Sequence, residues 1–360
     1  MAFDKPLALD AMGGDKAPFS VVQGARIALK YFPDLRYTFY GDERLLKPLV
    51  AKFKLESIST IVHTDSVIAP DDKPSIALRQ GKSSSMRLAI DSVASGEACA
   101  MVSAGNTGAL MATAKFVYKT LPGIYRPAIT ATMPARNGNV VLLDMGANID
   151  CTSEYLVQFA MMGDAYARAL LGIEKPLVGL LNVGSEDMKG HDEVKEAHRV
   201  LKSEQSPVRY HGFVEGNDIL DGTVDVVVTD GFTGNIALKT AEGASRLLYS
   251  ALKGAIEKSL LAKIGYLFAK PAIKMAMKAY DPRRHNGAIL LGLNGIAVKS
   301  HGGADAKAFA NAIKVAATLV EQNVNQRIID ELARSGLSST QAFAVAVEGF
   351  EPPSLMESYA

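Results

Sequence analysis

Leu7-Ala8-Leu9-Asp10-Ala11-Met12-Gly13-Gly14-Asp15-Lys16-Ala17-Pro18 decides how the rest of the chain is read. A short apolar run stops at Asp10, because the Gly-Gly pair breaks a strand. A helix is expected from about Pro18, since proline suits a first helical turn. The segment therefore reads as strand, turn, helix, with Asp10, Asp15 and Lys16 at the carboxyl end of the strand. In open parallel α/β sheets that end is where ligands bind. Gly13 and Gly14 leave room for a ligand to approach the backbone. The alternative is an ordinary βα turn with two solvated acids.

The same pattern recurs elsewhere in the chain. Residues 98–102 read as a buried strand that runs into Ser103-Ala104-Gly105-Asn106-Thr107-Gly108 and then a helix through Tyr118. The free N–H groups and positive end of such a helix favour phosphate or an oxyanion. Ser103, Asn106 and Thr107 add side-chain donors there. Residues 129–133 and 140–143 are two further strands, the second ending at Asp144-Met145-Gly146-Ala147-Asn148. Asn148 is a donor for an oxygen, while Asp144 orients a cation or caps a helix. Val226-Val227-Val228 is a central strand by its β-branched content. Asp230-Gly231 breaks it, and a helix resumes at about Thr233 and Asn235. This recurrence of Asp, Gly, Asn and Thr at strand ends argues for one polar crevice served by several turns.

Between these points helix and strand signals alternate. Repeated βα units give a mostly parallel sheet with helices on both faces. Residues 154–171 form a helix, 177–181 a strand, and long helices close the fold over 306–333. Residues 70–74 read as a loop. Downstream of it, Arg79 and Lys82 stand before a serine-capped helix that contains Met86. Those two cations either hold an anion or are simply solvated. His191 and His198 fall on a helix read as solvated, with no zinc spacing. Cys99 and Cys151 are read as structural.

Composition narrows the function classes. The 360 residues are 48% hydrophobic and 21% charged, enough for a sizeable core. They form one large α/β unit over 1–349, with a two-lobed arrangement allowed by length, and a loose tail at 350–360. A net charge of +1 argues against a general nucleic-acid binder. Two cysteines make no disulfide framework. The opening residues lack a signal-peptide core and no uncharged run would span a bilayer. The cytoplasm is the expected location.

Residues 250–285 differ from the rest. Apolar residues interleave with eight cations against two acids, a local charge of +6. A basic amphipathic helix pair, broken near Pro271, fits a membrane surface, an acidic carrier protein, or a dimer interface.

The strings Asp-Ala-Met-Gly-Gly-Asp at 10–15, Ser-Ala-Gly-Asn-Thr-Gly-Ala at 103–109, Leu-Asp-x-Gly-Ala-Asn at 143–148, Asn-Val-Gly-x-Glu-x-x-Lys-Gly at 182–190, the turns at 212–218 and 224–235, and Lys-Ser-His-Gly-Gly-Ala-Asp at 299–305 stand in order. Together they resemble the bacterial fatty acyl-ACP:phosphate acyltransferases of phospholipid synthesis. More remotely, the last string is similar to that of the phosphate acetyltransferases, which have Arg where His301 stands. The resemblance implies a three-layer α/β/α, Rossmann-like fold of the isocitrate/isopropylmalate dehydrogenase type with a protruding helical hairpin. It implies a long-chain acyl group moving from acyl carrier protein to inorganic phosphate, and a peripheral place on the inner membrane face. It also implies a homodimer and delivery to a membrane glycerol-3-phosphate acyltransferase. Lys189, Lys299, His301, Asp230 and Asp10 become the catalytic candidates. Gly13, Gly14, Asp15, Lys82, Ser103, Asn106, Thr107, Asp144, Asn148, Gly231, Thr233, Asn235, Ser300 and Asp305 become binding candidates. The phosphate cradle is expected at 106–108 with Lys189 or Lys299, and the oxyanion donors at 13–14, 231–234 or Asn148. This chemistry calls for no metal, nucleotide or covalent intermediate. A coenzyme A-dependent short-chain phosphotransacetylase and a lipid-enzyme scaffold are the alternatives. A dehydrogenase is disfavoured by the absence of Gly-x-Gly-x-x-Gly after a strand.

Overall fold

Leu7–Asp10 forms β1, buried at all four positions. The computed structural model describes residues 3–204, 206–279 and 281–335, so the tail expected at 350–360 lies outside the described residues. After β1 come α1 (Phe19–Ala28), β2 (Tyr37–Gly41), α2 (Glu43–Lys52), β3 (Ser59–His63), α3 (Pro74–Gln80), α4 (Ser85–Ala94), β4 (Ala100–Ser103) and α5 (Thr107–Tyr118). β5 (Ala128–Ala135) and β6 (Gly138–Leu143) form a hairpin, followed by α6 (Ser153–Leu171), β7 (Leu177–Leu181), α7 (Asp192–Lys202), β8 (Arg209–Val214), α8 (Gly216–Asp221) and β9 (Val226–Val228). The chain ends its described part with α9 (Gly231–Lys258), α10 (Leu260–Ala279), β10 (Ala288–Leu291), β11 (Ala297–Lys299), α11 (Ala306–Glu321) and α12 (Val324–Ser335).

Among the described residues, the eleven strands lie in one sheet, in the order β3-β2-β1-β4-β11-β10-β5-β6-β9-β7-β8. Successive side chains of a strand face opposite sides, and the two apolar clusters follow that rule. Leu7, Leu9, Val102, Val141, Val226 and Val228 join one cluster with α1, α6 and α11. Ala8, Met101, Leu142, Val227 and Leu290 join the other with α4 and α5. Helices thus cover both faces, and the three-layer α/β/α expectation holds. Each large side chain buried this fully contributes roughly 1.5–3 kcal/mol.

Strand direction is where the structure adds most. β3, β2, β1, β4 and β11 are parallel. β10 is antiparallel to both β11 and β5, and β5 is antiparallel to β6. β6, β9, β7 and β8 are then parallel to one another. The sheet therefore reverses direction between its halves. The carboxyl ends of β1, β4 and β11 share one edge, and those of β6, β9 and β7 share the other. The expected single crevice divides into two sets of turns.

Three local expectations are corrected. Pro74 opens α3, where only a loop was expected, because proline is tolerated in a first turn. The helix pair breaks at Ser259, not at Pro271, which sits within α10. His198 is buried, with its ring stacked on Phe213 at 4.2 Å between centroids and its Nδ1 2.8 Å from the Tyr210 hydroxyl. Apolar contacts from β8 account for that burial, and burial pushes its pKa down. Beyond the sheet, α9 and α10 pack on each other as a hairpin with exposed apolar residues, among them Leu248, Leu261 and Phe268, the last 81% exposed.

Candidate active site

Asp10 organises the first edge. It is 1% exposed at the end of β1. Ser103 Oγ donates to its Oδ2 at 2.6 Å, and Ser85 Oγ donates to its Oδ1 at 2.7 Å. The Gly105 amide donates in turn to Ser103 Oγ at 3.0 Å. Burial pushes the Asp10 pKa up, and these donors pull against it. The carboxylate thereby ties the turn after β1 to the first turn of α4 and to the turn after β4. Gly13 is needed here, because a Cβ would run into the Asp10 carboxylate and lie 2.7 Å from the Gly105 nitrogen.

β4 lies between β1 and β11. Lys299, the last residue of β11, is in register with Ser103. Burial pulls the Lys299 ammonium down to about 8, while Asp10 and Asp15 hold it up and Lys239 of α9 pushes it down further. Its Nζ donates to the Ser300 carbonyl. Ser300 is wholly buried, and its amide donates to the Ser103 carbonyl at 2.8 Å. His301 is exposed. Its Nδ1 accepts the Gly303 amide at 3.2 Å, so Nε2 is the nitrogen left as a donor. The Asp15 amide donates to the Gly302 carbonyl at 2.9 Å. The turns after β1, β4 and β11 are thus stitched to one another around Lys299.

Asn106 caps α5, accepting the Ala109 amide at 3.0 Å. Its Nδ2 donates to the carbonyls of Pro70 and Asp72 at 3.0 and 2.9 Å, and to that of Ala69. The side chain expected to hold substrate is fully engaged with the 69–72 loop. Exposed Thr107 and the helix amides remain beside it. Lys82 is exposed, two residues before Ser84, the cap of α4. Asp305 caps α11 through the Ala308 amide at 2.9 Å and stands 3.5 Å from Arg283. Burial would raise its pKa, but the amides and Arg283 hold it low.

The second edge is built around Asp144, which is 0% exposed. It accepts the amides of Ile129, Gly146, Ala147 and Asn148 and the Asn148 side-chain amide, at 2.7–3.1 Å. Asn148 also donates to the Pro127 carbonyl at 2.8 Å. Asp230 caps α9, accepting both the amide and the hydroxyl of Thr233 at 2.8 Å. Gly231 donates to the Asn148 carbonyl at 2.7 Å. A Cβ at Gly234 would run into the Asp144 carbonyl, so α9 docks on this turn through bare backbone. Asn235 is exposed close by, over Gly146. Lys189 lies on the loop after β7, 48% exposed and paired with Glu186 at 3.1 Å. Asn182 holds that loop through the carbonyls of Gly184 and Lys189. Two surface depressions of 940 and 470 Å³ flank α7 and share Asp187, His198 and Lys202, and no candidate residue lines either.

The family model described as "Fatty acid synthesis protein" matches residues 6–327. A protein of Paramagnetospirillum magneticum named "Phosphate acyltransferase" is 57% identical over 329 residues, 91% of this chain and 94% of that one. One of the same name from Rhodospirillum centenum is 55% identical over 346 residues, 96% and 97% of the two chains. The chain belongs to the phosphate acyltransferase family. Among solved structures, the fold is similar to the EutD phosphotransacetylase from Staphylococcus aureus, with a TM-score of 0.56 at 19% identity over 88% of this chain and 94% of that one. It is also similar to a branched-chain phosphotransacylase from Enterococcus faecalis, with a TM-score of 0.55 at 16% identity over 88% and 99%.

For this phosphate acyltransferase family member, the first edge gathers Asp10, Gly13, Gly14, Asp15, Ser103, Lys299, Ser300 and His301. Asp144, Asn148, Asp230, Gly231, Thr233 and Asn235 gather at the second. Lys189 stands on the second edge and so does not join residues 106–108 in one cradle. Sequence reasoning missed Ser85, whose hydroxyl serves Asp10, and Asn286, whose side chain reaches both Ser300 and His301. The serine run at 83–85 was a signal for the first. Nothing local to Asn286 marked the second.

Proposed function

We propose that the first edge transfers a long-chain acyl group from an acyl carrier protein thioester to inorganic phosphate. The observation that carries this reading is Lys299: a half-buried cation at the end of β11, in register with Ser103, the last residue of the strand that leads into α5, and two residues before the exposed His301. A cation next to free helix amides is suited to a phosphate dianion. Hydrogen phosphate is already a nucleophile, so the protein's task is to hold and aim it. One phosphate oxygen attacks the thioester carbonyl carbon, the C–O bond forms, and the C–S bond breaks. The departing thiolate takes the proton that the phosphate gives up. The carbonyl oxygen carries negative charge in between, and His301 Nε2–H and the Gly14 amide are its donors, the Gly13 amide being turned to Asp10. Asp10 acts at one remove, holding the three turns and raising the charge state of Lys299.

The exposed apolar residues of the α9–α10 hairpin, interleaved with lysines, support the reading that this face meets an anionic membrane surface. No described helix is long and apolar enough to cross a membrane. A homodimer and delivery to a membrane glycerol-3-phosphate acyltransferase belong to the same reading. The test is donor choice. With phosphate in excess, thiol release should be fast from palmitoyl-ACP and slow from acetyl-coenzyme A. The reverse preference would assign the chain to short-chain transfer instead.

A further inference from the structure

The α9–α10 hairpin returns to the sheet through residues 281–286, and this return reaches the turn that carries His301. Asn286 Nδ2 donates to Ser300 Oγ at 2.8 Å and to the Ala308 carbonyl at 2.7 Å. Its Oδ1 accepts the His301 amide at 2.9 Å. Its own carbonyl accepts Asn311 Nδ2 at 2.9 Å. One side chain therefore grips the turn at both ends, at Ser300 and His301 where it leaves β11 and at Ala308 where it has entered α11. Between those points lie Gly302, which receives the Asp15 amide, and Gly303, which donates to the His301 ring. All of the side chain's hydrogen-bonding groups are spent on this one turn.

We infer that Asn286 is a positioning residue of the proposed transfer site, fixing where His301 presents Nε2–H. The inference rests on the transfer reading of that turn. An amide suits the position because the turn offers both a donor to be accepted and acceptors to be served. An apolar side chain of the same size would leave the His301 amide without its acceptor. A carboxylate would keep that acceptor and lose both donations.

The test is a double-mutant cycle on acyl phosphate formation from palmitoyl-ACP, with folding followed by urea unfolding. Asn286→Ala should lower kcat roughly 100-fold, the scale of losing one oxyanion donor, with KM for phosphate changed less than about threefold. In the His301→Ala background the same substitution should cost less than about threefold, because the residue it positions is gone. If Asn286→Ala does not fold, Asn286→Asp takes its place in the cycle, with a smaller loss because the acceptor for the His301 amide remains. Wild-type kcat in a folded Asn286 variant would overturn the inference. So would an equal loss whether His301 is present or replaced by alanine, which marks a purely structural role. If His301→Ala alone keeps full turnover, the transfer reading of the turn fails and the inference fails with it.

Discussion

Lys299 is a cation kept near the edge of its charge state. Its ammonium is lowered from the ordinary lysine value to about 8, mainly by burial, with Asp10 and Asp15 opposing. The charged form that binds phosphate predominates below that value and is progressively lost above it. KM for phosphate should therefore rise as pH passes about 8. Lys299→Arg, which stays charged, should move that rise to higher pH. A KM profile identical in the two proteins would remove Lys299 from phosphate binding. Asp144 works differently, as an acceptor for five donors around one turn. Asp144→Asn puts an N–H where those donors converge and should cost about 3 kcal/mol, read from urea unfolding. A loss within about 0.5 kcal/mol, the scale of an ordinary surface substitution, would show that the turn is held by other contacts.

At the scale of elements, the helix starts at α4, α5, α9 and α11 are capped by Ser84, Asn106, Asp230 and Asp305. Several of these residues read in the sequence as substrate groups, because cap residues and ligand donors are the same residue types at the same strand-to-helix turns. Asn106 is the clearest case, since its amide and carbonyl are all engaged internally. The α9–α10 hairpin was legible from its interleaved apolar residues and lysines, while its break was not. Pro271 draws the eye, yet Ser259 is where the helix ends. On the surface reading, Leu261→Glu with Phe268→Glu should reduce co-sedimentation with anionic vesicles by about tenfold or more, because two exposed apolar anchors become charges. Thiol release from palmitoyl-ACP in solution should stay within about twofold, since both residues lie outside the turns that hold phosphate. Unchanged sedimentation would move the contact to another face.

For the whole molecule, local signals carried most of the strands, but β8, β10 and β11, the last of which bears Lys299, were not read as strands. The turns at Gly13, Gly105, Gly146 and Gly231 were visible because breakers follow short apolar runs. Strand direction was not visible, because no residue encodes which way a strand runs relative to a neighbour far away in the chain. The antiparallel β10, β5 and β6 reverse the sheet, and that reversal separates Lys189 from Lys299. The burial of His198 and the reach of Asn286 were hidden for the same reason: each depends on partners from other segments, Phe213 and Tyr210 for one, Ser300 and Ala308 for the other.

The measurement that bears most directly on the account is a trapping experiment. Pure protein is incubated with palmitoyl-ACP with and without phosphate, and hydroxylamine captures any acyl phosphate as hydroxamate. The wild type should give phosphate-dependent palmitoyl hydroxamate, and folded Lys299→Met at most about a hundredth of that rate. No phosphate-dependent hydroxamate from the wild type, or equal rates from the two proteins, would contradict the account.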